Sequence, residues 1–575
     1  EAEEALYGVM CRTERFNSGI IDDSRVCDVQ VMPEDILSFA EGQHLMDCLS
    51  HENTRVRLGN LPMEYVKSSP YLLSFMDKYE LKKRIVSALS HSDVKKYGKI
   101  NALLLSRYAI NNYRPIPAAN GKLKYLHDLV FGERHEKKTQ LLLWVPASNP
   151  YYKAGGVFES NEARNFSKII LFSSWEMVPR MISIMMSYYS ELYTFGELKK
   201  TVPEIRYTSQ KKNRYGENRL RADGLLEYPC RTLASLFSPA IFYGEKLSSI
   251  RKIIKQNIQE EFARNSLIRT IPQQGRNNAR LVLTLMKILD GKPVENLTGL
   301  YVPSNALDVM TDIAIASPAV CAYRQSGNEE DAQMVAKAVV SVFNKPESAA
   351  VIDLMYNKKN DDNYYESVLD YCAIGNLQAV LDEYLYMAPE NKKLGQVVTD
   401  AIIGTSNLSI DTTDSLGKEE KKQLMRCHFA IPFIDKTVTD KSVTRTTNIR
   451  KAFNSPFRPF LLSTTSIGQE GLDFHWYARK IVHWNLPSNP VDLEQREGRI
   501  NRFKCLAIRR NVVKLYASET YHTWDELFSM AYSNLKGMHS DIVPYWCLPV
   551  AELTEEQRAK LEYIERIVPL YPLSR

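Results

Sequence analysis

Residues able to handle a polyanion are concentrated between 460 and 515. Phe460-Leu461-Leu462-Ser463 reads as a strand and runs into Thr464-Thr465-Ser466-Ile467-Gly468-Gln469-Glu470-Gly471-Leu472-Asp473. Short hydroxylated residues and glycines let backbone N–H groups approach a phosphate. Ligands of parallel α/β sheets bind beyond the carboxyl ends of strands. Taken alone, the loop also reads as a plain strand-to-helix turn. A second strand over 480–485 leads to Leu486-Pro487-Ser488-Asn489-Pro490, where Asn489 suits an N-cap and Pro490 the first helical position. Gln495, Arg499 and Arg502 then stand at i, i+4 and i+7 and are expected on one helical face, with Gly498 leaving room for close approach. On an isolated helix the two arginines would be a solvated stripe. Directly after such a loop they read better as a polyphosphate site.

Other chemistry-bearing residues lead to plainer readings. Gly98-Lys99 is followed by Ile100 and Gly417-Lys418 by Glu419, so neither completes the phosphate-gripping pattern G-x-x-x-x-G-K-[ST]. Val380-Leu381-Asp382-Glu383 mimics a Walker B acidic pair, but it lies in an amphipathic stretch and is expected to be a helix with solvated acids. His475 and His483 lack the further convergent ligands that a metal needs, and Cys427-His428 lacks a partner acid. Trp175, Tyr188, Tyr189 and Tyr193 are expected to pack rather than stack bases. The basic run from 197 to 222 includes Lys211, Lys212 and Arg214 with Tyr207 and Tyr215 interleaved. It reads as a solvated loop by default and as a nucleic-acid contact in the minority reading.

The elements that must position these residues alternate strand and helix, which implies a parallel α/β sheet. Lys168-Ile169-Ile170-Leu171-Phe172-Ser173-Ser174 has the continuous apolar texture of a strand buried on both faces. Leu141-Leu142-Leu143-Trp144-Val145-Pro146 has a shorter version of it, and a Met-rich helix is expected over 176–192. Strand texture returns at 428–433, 459–463 and 480–485. The expected division is a helical N-terminal region over 1–140, one α/β lobe formed by 141–195 with 425–545, a mostly α-helical insertion over 196–424, and an extension over 546–575.

The chain has 575 residues, with 44% hydrophobic and 25% charged residues, which is ordinary for a globular protein. Net charge is +6, compatible with a nucleic-acid partner without requiring one. Nine dispersed cysteines read as reduced thiols and imply an intracellular, cytoplasmic setting. No apolar run reaches the length of a membrane span, so no membrane partner is expected. The acidic start and the abrupt end read as cuts in a longer protein.

In that order and on those elements, the segments resemble the second RecA-like lobe of superfamily 2 helicases. Residues 464–473 look like motif V, Gln495-Arg496-Glu497-Gly498-Arg499-Ile500-Asn501-Arg502 like motif VI, and 168–174 like the strand of motif IV. The phrases 453–460 and 485–492, and Met10-Cys11-Arg12-Thr13-Glu14-Arg15, look like a bacterial group of large helicase-related proteins. The resemblance implies a RecA-like parallel-sheet lobe and roles for single residues. Arg502 would be an arginine finger on the γ-phosphate, with Arg499 beside it. Gln495 and Gly498 would face the nucleotide, and Gly471 and Asp473 would couple it to nucleic acid. Thr465 and Ser173 would contact the nucleic-acid backbone, while Ser466 stands where the family often has Asp. ATP and Mg²⁺ would be bound jointly with a first lobe that this chain is expected to lack, and DNA or RNA would be the track. The other reading is a non-catalytic helicase-like scaffold that binds nucleic acid or protein.

Overall fold

The computed structural model describes residues 20–52, 59–89, 101–208, 220, 224–271, 273–275, 279–294, 300–356, 364–389, 392–402, 406–416, 421–433, 440–465, 472–535 and 554–572. The strands are β1 (Ile21–Asp28), β2 (Lys168–Phe172), β3 (Ile268–Ile271), β4 (Leu300–Pro303), β5 (Ser406–Ile410), β6 (Gln423–Cys427), β7 (Ala430–Phe433), β8 (Leu461–Thr464), β9 (Ala478–His483) and β10 (Ile564–Leu570). Six of them form one sheet in the order β1-β10-β9-β2-β8-β7, and every pairing in it is parallel. The fold is α/β. The strands read from 169–173, 428–433, 460–463 and 480–485 do share one sheet although the insertion separates them in sequence.

Burial explains the central strands. β2, β7 and β8 are buried along their whole length, as a parallel sheet covered on both faces demands. The helix Met177–Leu192 covers β7 and β8, and its serines as well as its methionines do the joining. Ser187 Oγ accepts from the backbone of Phe429 and Ala430, and Ser183 Oγ lies 3.1 Å from Ser463 Oγ. Lys168 begins β2 wholly buried. Its Nζ donates to the carbonyls of Ala452 and Phe457, the first at the end of the helix Asp440–Phe453, where carbonyls stand unpaired and the helix dipole is negative. Burial pushes this ammonium well below the usual lysine range.

Three sequence expectations are corrected here. The sheet takes two strands, β1 and β10, from outside the expected lobe segments. β1 (IDDSRVCD) is a polar edge strand and lacks the apolar run that marks the centre. The 141–146 run is not a sheet strand but a buried strap between insertion and lobe. Val145 N–H donates to Pro456 O, Leu143 N–H donates to Tyr371 Oη, and Trp144 Nε1–H donates to Gly375 O. A Cβ at Gly375 would stand 2.6 Å from the Trp144 ring, so only glycine fits there. The third correction concerns Asp382 and Glu383, which are not solvated.

The insertion is mostly helical, with helices that include Leu247–Ala263, Ser304–Ala316, Glu329–Phe343, Tyr364–Ile374 and Leu377–Met387, and one short parallel pair, β3 with β4. In the helix Leu377–Met387, Glu383 is 1% exposed and pairs with the fully buried Arg509 at 2.8 Å. Glu383 also accepts from the backbone and hydroxyl of Ser148. Asp382 accepts from Tyr151 Oη at 2.7 Å and from Gln378, and burial raises its carboxyl to about 6. Among the described residues no single helix is long and apolar enough to cross a membrane; the bent pair Ser304–Ala316 and Pro318–Ser326 passes on length and composition, and its apolar residues lie in the insertion's core.

The Glu383–Arg509 pair sets a stability test. Glu383→Ala leaves the Arg509 guanidinium buried without its carboxylate, and breaking such a pair costs about 3–5 kcal/mol. The urea midpoint should fall accordingly. The double variant Glu383→Leu with Arg509→Met should recover part of the loss, because no charge is left buried alone, although Ser148 and the Trp476 and Lys504 carbonyls lose their partners. A midpoint unchanged in Glu383→Ala would show that the pair does not hold the insertion to the lobe.

Candidate functional site

All six sheet strands are parallel, so the residues that follow β2, β8 and β9 leave from one edge. Ser173, Thr465 and Trp484-Asn485 stand there. Ser173 is buried, and its Oγ donates to Asn485 Oδ1 at 2.8 Å while accepting from Trp175 N–H. Ser173 thus ties the end of β2 to the end of β9, and in this structure its hydroxyl is not presented to a nucleic-acid backbone. Thr465 is half-buried. The N-terminal region supports the same shelf. Trp484 Nε1–H donates to Ser68 O, and the Lys122 ammonium donates to Trp484 O at 2.6 Å.

The helix Pro490–Glu497 starts where its sequence says it should. Asn489 Oδ1 accepts from Val491 N–H at 3.0 Å, with Pro490 in the first turn. The expected single face of Gln495, Arg499 and Arg502 does not form. The helix ends at Glu497 with Gly498 as its cap, and the chain leaves through turns in which Ile500 and Asn501 N–H both reach Glu497 O. Gln495 is exposed, whereas Arg499 is buried and Arg502 lies beyond the helix. A helical periodicity applied past Gly498 placed them together wrongly.

The inward face of that helix carries a pair the motif reading did not single out. Arg496 is 1% exposed, donates to Asn485 O at 3.1 Å and lies 5.3 Å from the centre of the Phe172 ring. Arg499 lies over the same ring at 5.9 Å, so the last residue of β2 carries two guanidinium groups on its π face. Burial lowers the pKa of both arginines. Glu497 is buried as well and is clamped by Arg566 of β10, with Nη2 at 3.0 Å from Oε2. The C-terminal strand therefore anchors the arginine-bearing turn, an arrangement that no sequence pattern near 495–502 announces.

Arg502 Nε stands 3.1 Å from Asp473 Oδ1. The contact is Coulombic, since neither atom reaches hydrogen-bond geometry. Arg450 approaches the other carboxylate oxygen at 3.6 Å. Asn454 Nδ2 donates to Asp473 O at 2.6 Å, and Phe474 N–H donates to Arg499 O at 2.9 Å. The segment after the Gly-rich loop and the turn with both arginines are thus joined by backbone and charge together. Of the expected site residues, Asp473, Arg499 and Arg502 come together, and Gln495 stands apart from them on the exposed side of its helix. Gly471, Ser466, Lys211, Lys212 and Arg214 lie outside the described residues. Tyr188 and Tyr189 are core residues, as their packing reading required. Among the described residues no group of three or more His, Cys, Asp or Glu is arranged to hold a metal ion.

With this geometry in view, the stretch 404–504 matches the family model of the helicase conserved C-terminal domain, the C-terminal lobe of superfamily 2 helicases. The matched stretch contains β7, β8 and β9 and extends through Arg502. The match covers this stretch alone and supports a helicase-family, nucleic-acid-related function for it. No curated protein and no solved structure matches the chain.

Two histidines beside the site set a pH test. Burial, with Arg502, Arg509 and Arg450 nearby, pushes His475 down to about 3. Burial, with Arg496 and Arg566, does the same to His483. Both are neutral in the folded chain, whereas unfolded they titrate near 6.5. The unfolded state therefore takes up protons first as pH falls, and stability is lost progressively from 6.5 towards 3. Each histidine contributes at most about 1.4 kcal/mol per pH unit. Urea midpoints should fall between pH 6.5 and 5, and the variant His475→Gln with His483→Gln should have a flatter profile. An equal slope in the variant would place the acid sensitivity elsewhere.

Proposed function

We propose, with the superfamily 2 C-terminal lobe at 404–504 as premise, that this chain supplies the second motor lobe of an ATP-dependent helicase or translocase acting on DNA or RNA. The observation that carries the reading is the fixed turn that holds Arg499 over the end of β2 and Arg502 against Asp473. A guanidinium offers forked donors that suit phosphate oxygens, and its charge persists at any working pH. Arg502 acts in this reading as the arginine finger, neutralising charge that builds during phosphoryl transfer. Asp473 holds it in place until phosphate competes for it. The link from Asp473 through Phe474 to Arg499 would pass the nucleotide state to the Gly-rich loop and on to bound nucleic acid.

The donor set suits the phosphates of ATP and not its metal. The groups at this turn are cations and amides, and Asp473 already faces two arginines. Mg²⁺ would be held by a P-loop hydroxyl and a Walker B acid, which the reading assigns to a first lobe in the parent protein. ATP, when bound between the lobes, supplies the transferable phosphoryl group; Arg499 and Arg502 of this chain bind and orient it from one side. An intracellular setting belongs to the same proposal.

Steady-state ATPase with saturating nucleic acid tests this. The 575-residue chain alone should turn over essentially no ATP. In the parent protein, Arg502→Ala should lower turnover on the order of 10³-fold or more while equilibrium nucleotide binding changes little, because the contact is made mainly in the transition state. Near-normal turnover in Arg502→Ala would remove the finger assignment, and a parent without ATPase would favour the scaffold reading. The chain should also bind nucleic acid weakly and with a steep salt dependence. Replacing Lys211, Lys212 and Arg214 with Ala should reduce the salt slope if the basic loop lies on the track. An unchanged slope returns the loop to solvent.

A further inference from the structure

The amino edge of the sheet, opposite the arginine turn, carries a cavity of about 480 Å³ between insertion and lobe. That volume is within the range of small-molecule sites and far larger than a bare anion needs. The strands are about 15 Å long at five residues, so the cavity is separated from the carboxyl edge by at least that distance. Its lobe wall is formed by residues that immediately precede β2 and β10 and by the helix Leu506–Tyr516. Its other wall comes from the strap after 146 and from two turns of the insertion, at Tyr243-Gly244 and Gly375-Asn376.

The walls are already locked. Tyr152 is 2% exposed and its hydroxyl donates to Ala373 O at 2.8 Å, while Asn376 Nδ2 donates to Tyr152 O. Lys153 N–H donates to Glu245 O and Gly244 N–H to Tyr151 O, which fixes the insertion turn against the strap. Tyr243, half-buried, gives the cavity its accessible aromatic surface, while Tyr152 and Phe158 are almost fully buried behind its wall. A site whose wall residues are fixed before binding loses little entropy on taking a ligand.

Charge identifies the ligand class. The lining holds four cations, Lys153, Arg164, Arg510 and Lys514, against one acid, Glu562. Glu562 is already surrounded, with Arg510 and Lys514 each at 3.0 Å and Arg479 at 3.2 Å. Burial works against its charge, but these three cations outweigh burial and hold the carboxyl at about 2. Lys153 and Arg164 make no ion pair or side-chain hydrogen bond among the described residues, and both are exposed at the cavity's rim. A largely apolar cavity with the Tyr243 ring at one side, under unspent positive charge, suits a flat ring joined to a dianionic head. A fatty acid would leave the second cation unused, and a bare phosphate would leave the interior empty.

We propose that this cavity binds a nucleoside monophosphate unit, with Lys153 and Arg164 on the phosphate and the ring against Tyr243. The exposed amides of Asn161 and Asn165 line the same space and offer donors and acceptors to the edge of a base. The unit can be a free nucleotide or the phosphorylated terminal nucleotide of a strand. The site lies apart from Arg499 and Arg502 and does not depend on the motor reading.

Equilibrium binding to the whole 575-residue chain tests this, with AMP, GMP, CMP and UMP as probes in the absence of divalent cations. Inorganic phosphate and a single-stranded oligonucleotide with or without a terminal phosphate serve as competitors. Saturable binding of at least one mononucleotide is expected, at least tenfold tighter than phosphate. Lys153→Glu with Arg164→Glu should weaken it about tenfold or more, equivalent to about 1.4 kcal/mol. Both positions are exposed, so the fold is not at stake. Val513→Trp, which fills the cavity from the helix, should abolish it, and Arg502→Ala should leave it in place. Competition by the phosphorylated strand alone assigns the strand end as the source, and its failure to compete assigns the free nucleotide. The proposal is overturned if no mononucleotide binds saturably, if phosphate binds as tightly as the nucleotides, or if binding survives both the charge reversal and Val513→Trp.

Discussion

The parallel pairing of β2 on both of its edges is the constraint from which the lobe follows. Ile169 to Phe172 pair with Leu461 to Thr464 on one side, and the same residues pair with Lys480 to His483 on the other. A strand buried on both faces and paired on both edges cannot be left out of the core, because its peptide groups would lose every partner. Lys168 at its start adds a contact across 289 residues of sequence, donating to Phe457 O. The long intervening chain costs little extra for closing this loop, since closure entropy grows only with the logarithm of length. The insertion can therefore be large as long as its two ends return to the same sheet.

Once β2, β8 and β9 are fixed in register, their carboxyl ends fix the site. Phe172 becomes the floor under Arg496 and Arg499, and Ser173 meets Asn485. The arginine turn is then held from three directions: by Asn485 O on Arg496, by Arg566 of β10 on Glu497, and by Phe474 N–H on Arg499 O. Preorganisation of this kind suits a residue that must present charge at one point without reorganising.

The seams between segments are made of buried charges rather than apolar contact alone. Glu191 of the helix Met177–Leu192 takes Arg426 at 2.7 Å, and burial is outweighed by Arg426 and His428, which hold its carboxyl well below the carboxylate range. Glu383 takes Arg509, whose other donors reach Trp476 O and Lys504 O on either side of the site. Such pairs contribute less to net stability than to fixing one arrangement, because each partner buried alone would be costly. They place the insertion, the sheet and the arginine turn in one mechanical unit.

The local signals were legible in the sequence wherever a residue acts through its own backbone or its neighbours. The apolar runs of β2, β8 and β9, the Asn489-Pro490 helix start, and the order of loop and arginines belong to short-range chemistry, and the family match at 404–504 covers all of these but β2. What tertiary structure decided was every feature that needs a distant partner. Periodicity put Gln495, Arg499 and Arg502 on one face, but the helix stops at Glu497, and Phe474, Asn485 and Arg566 hold the groups on either side of its end. Asp382 and Glu383 looked solvated because nothing nearby in sequence could pair with them; their partners are Tyr151 and Arg509. β1 is too polar to stand out, and it becomes a strand only because β10 offers a parallel edge. Apolar spacing along a chain determines which faces are buried, whereas a buried charge or an edge strand is settled only by the partner that folding brings to it.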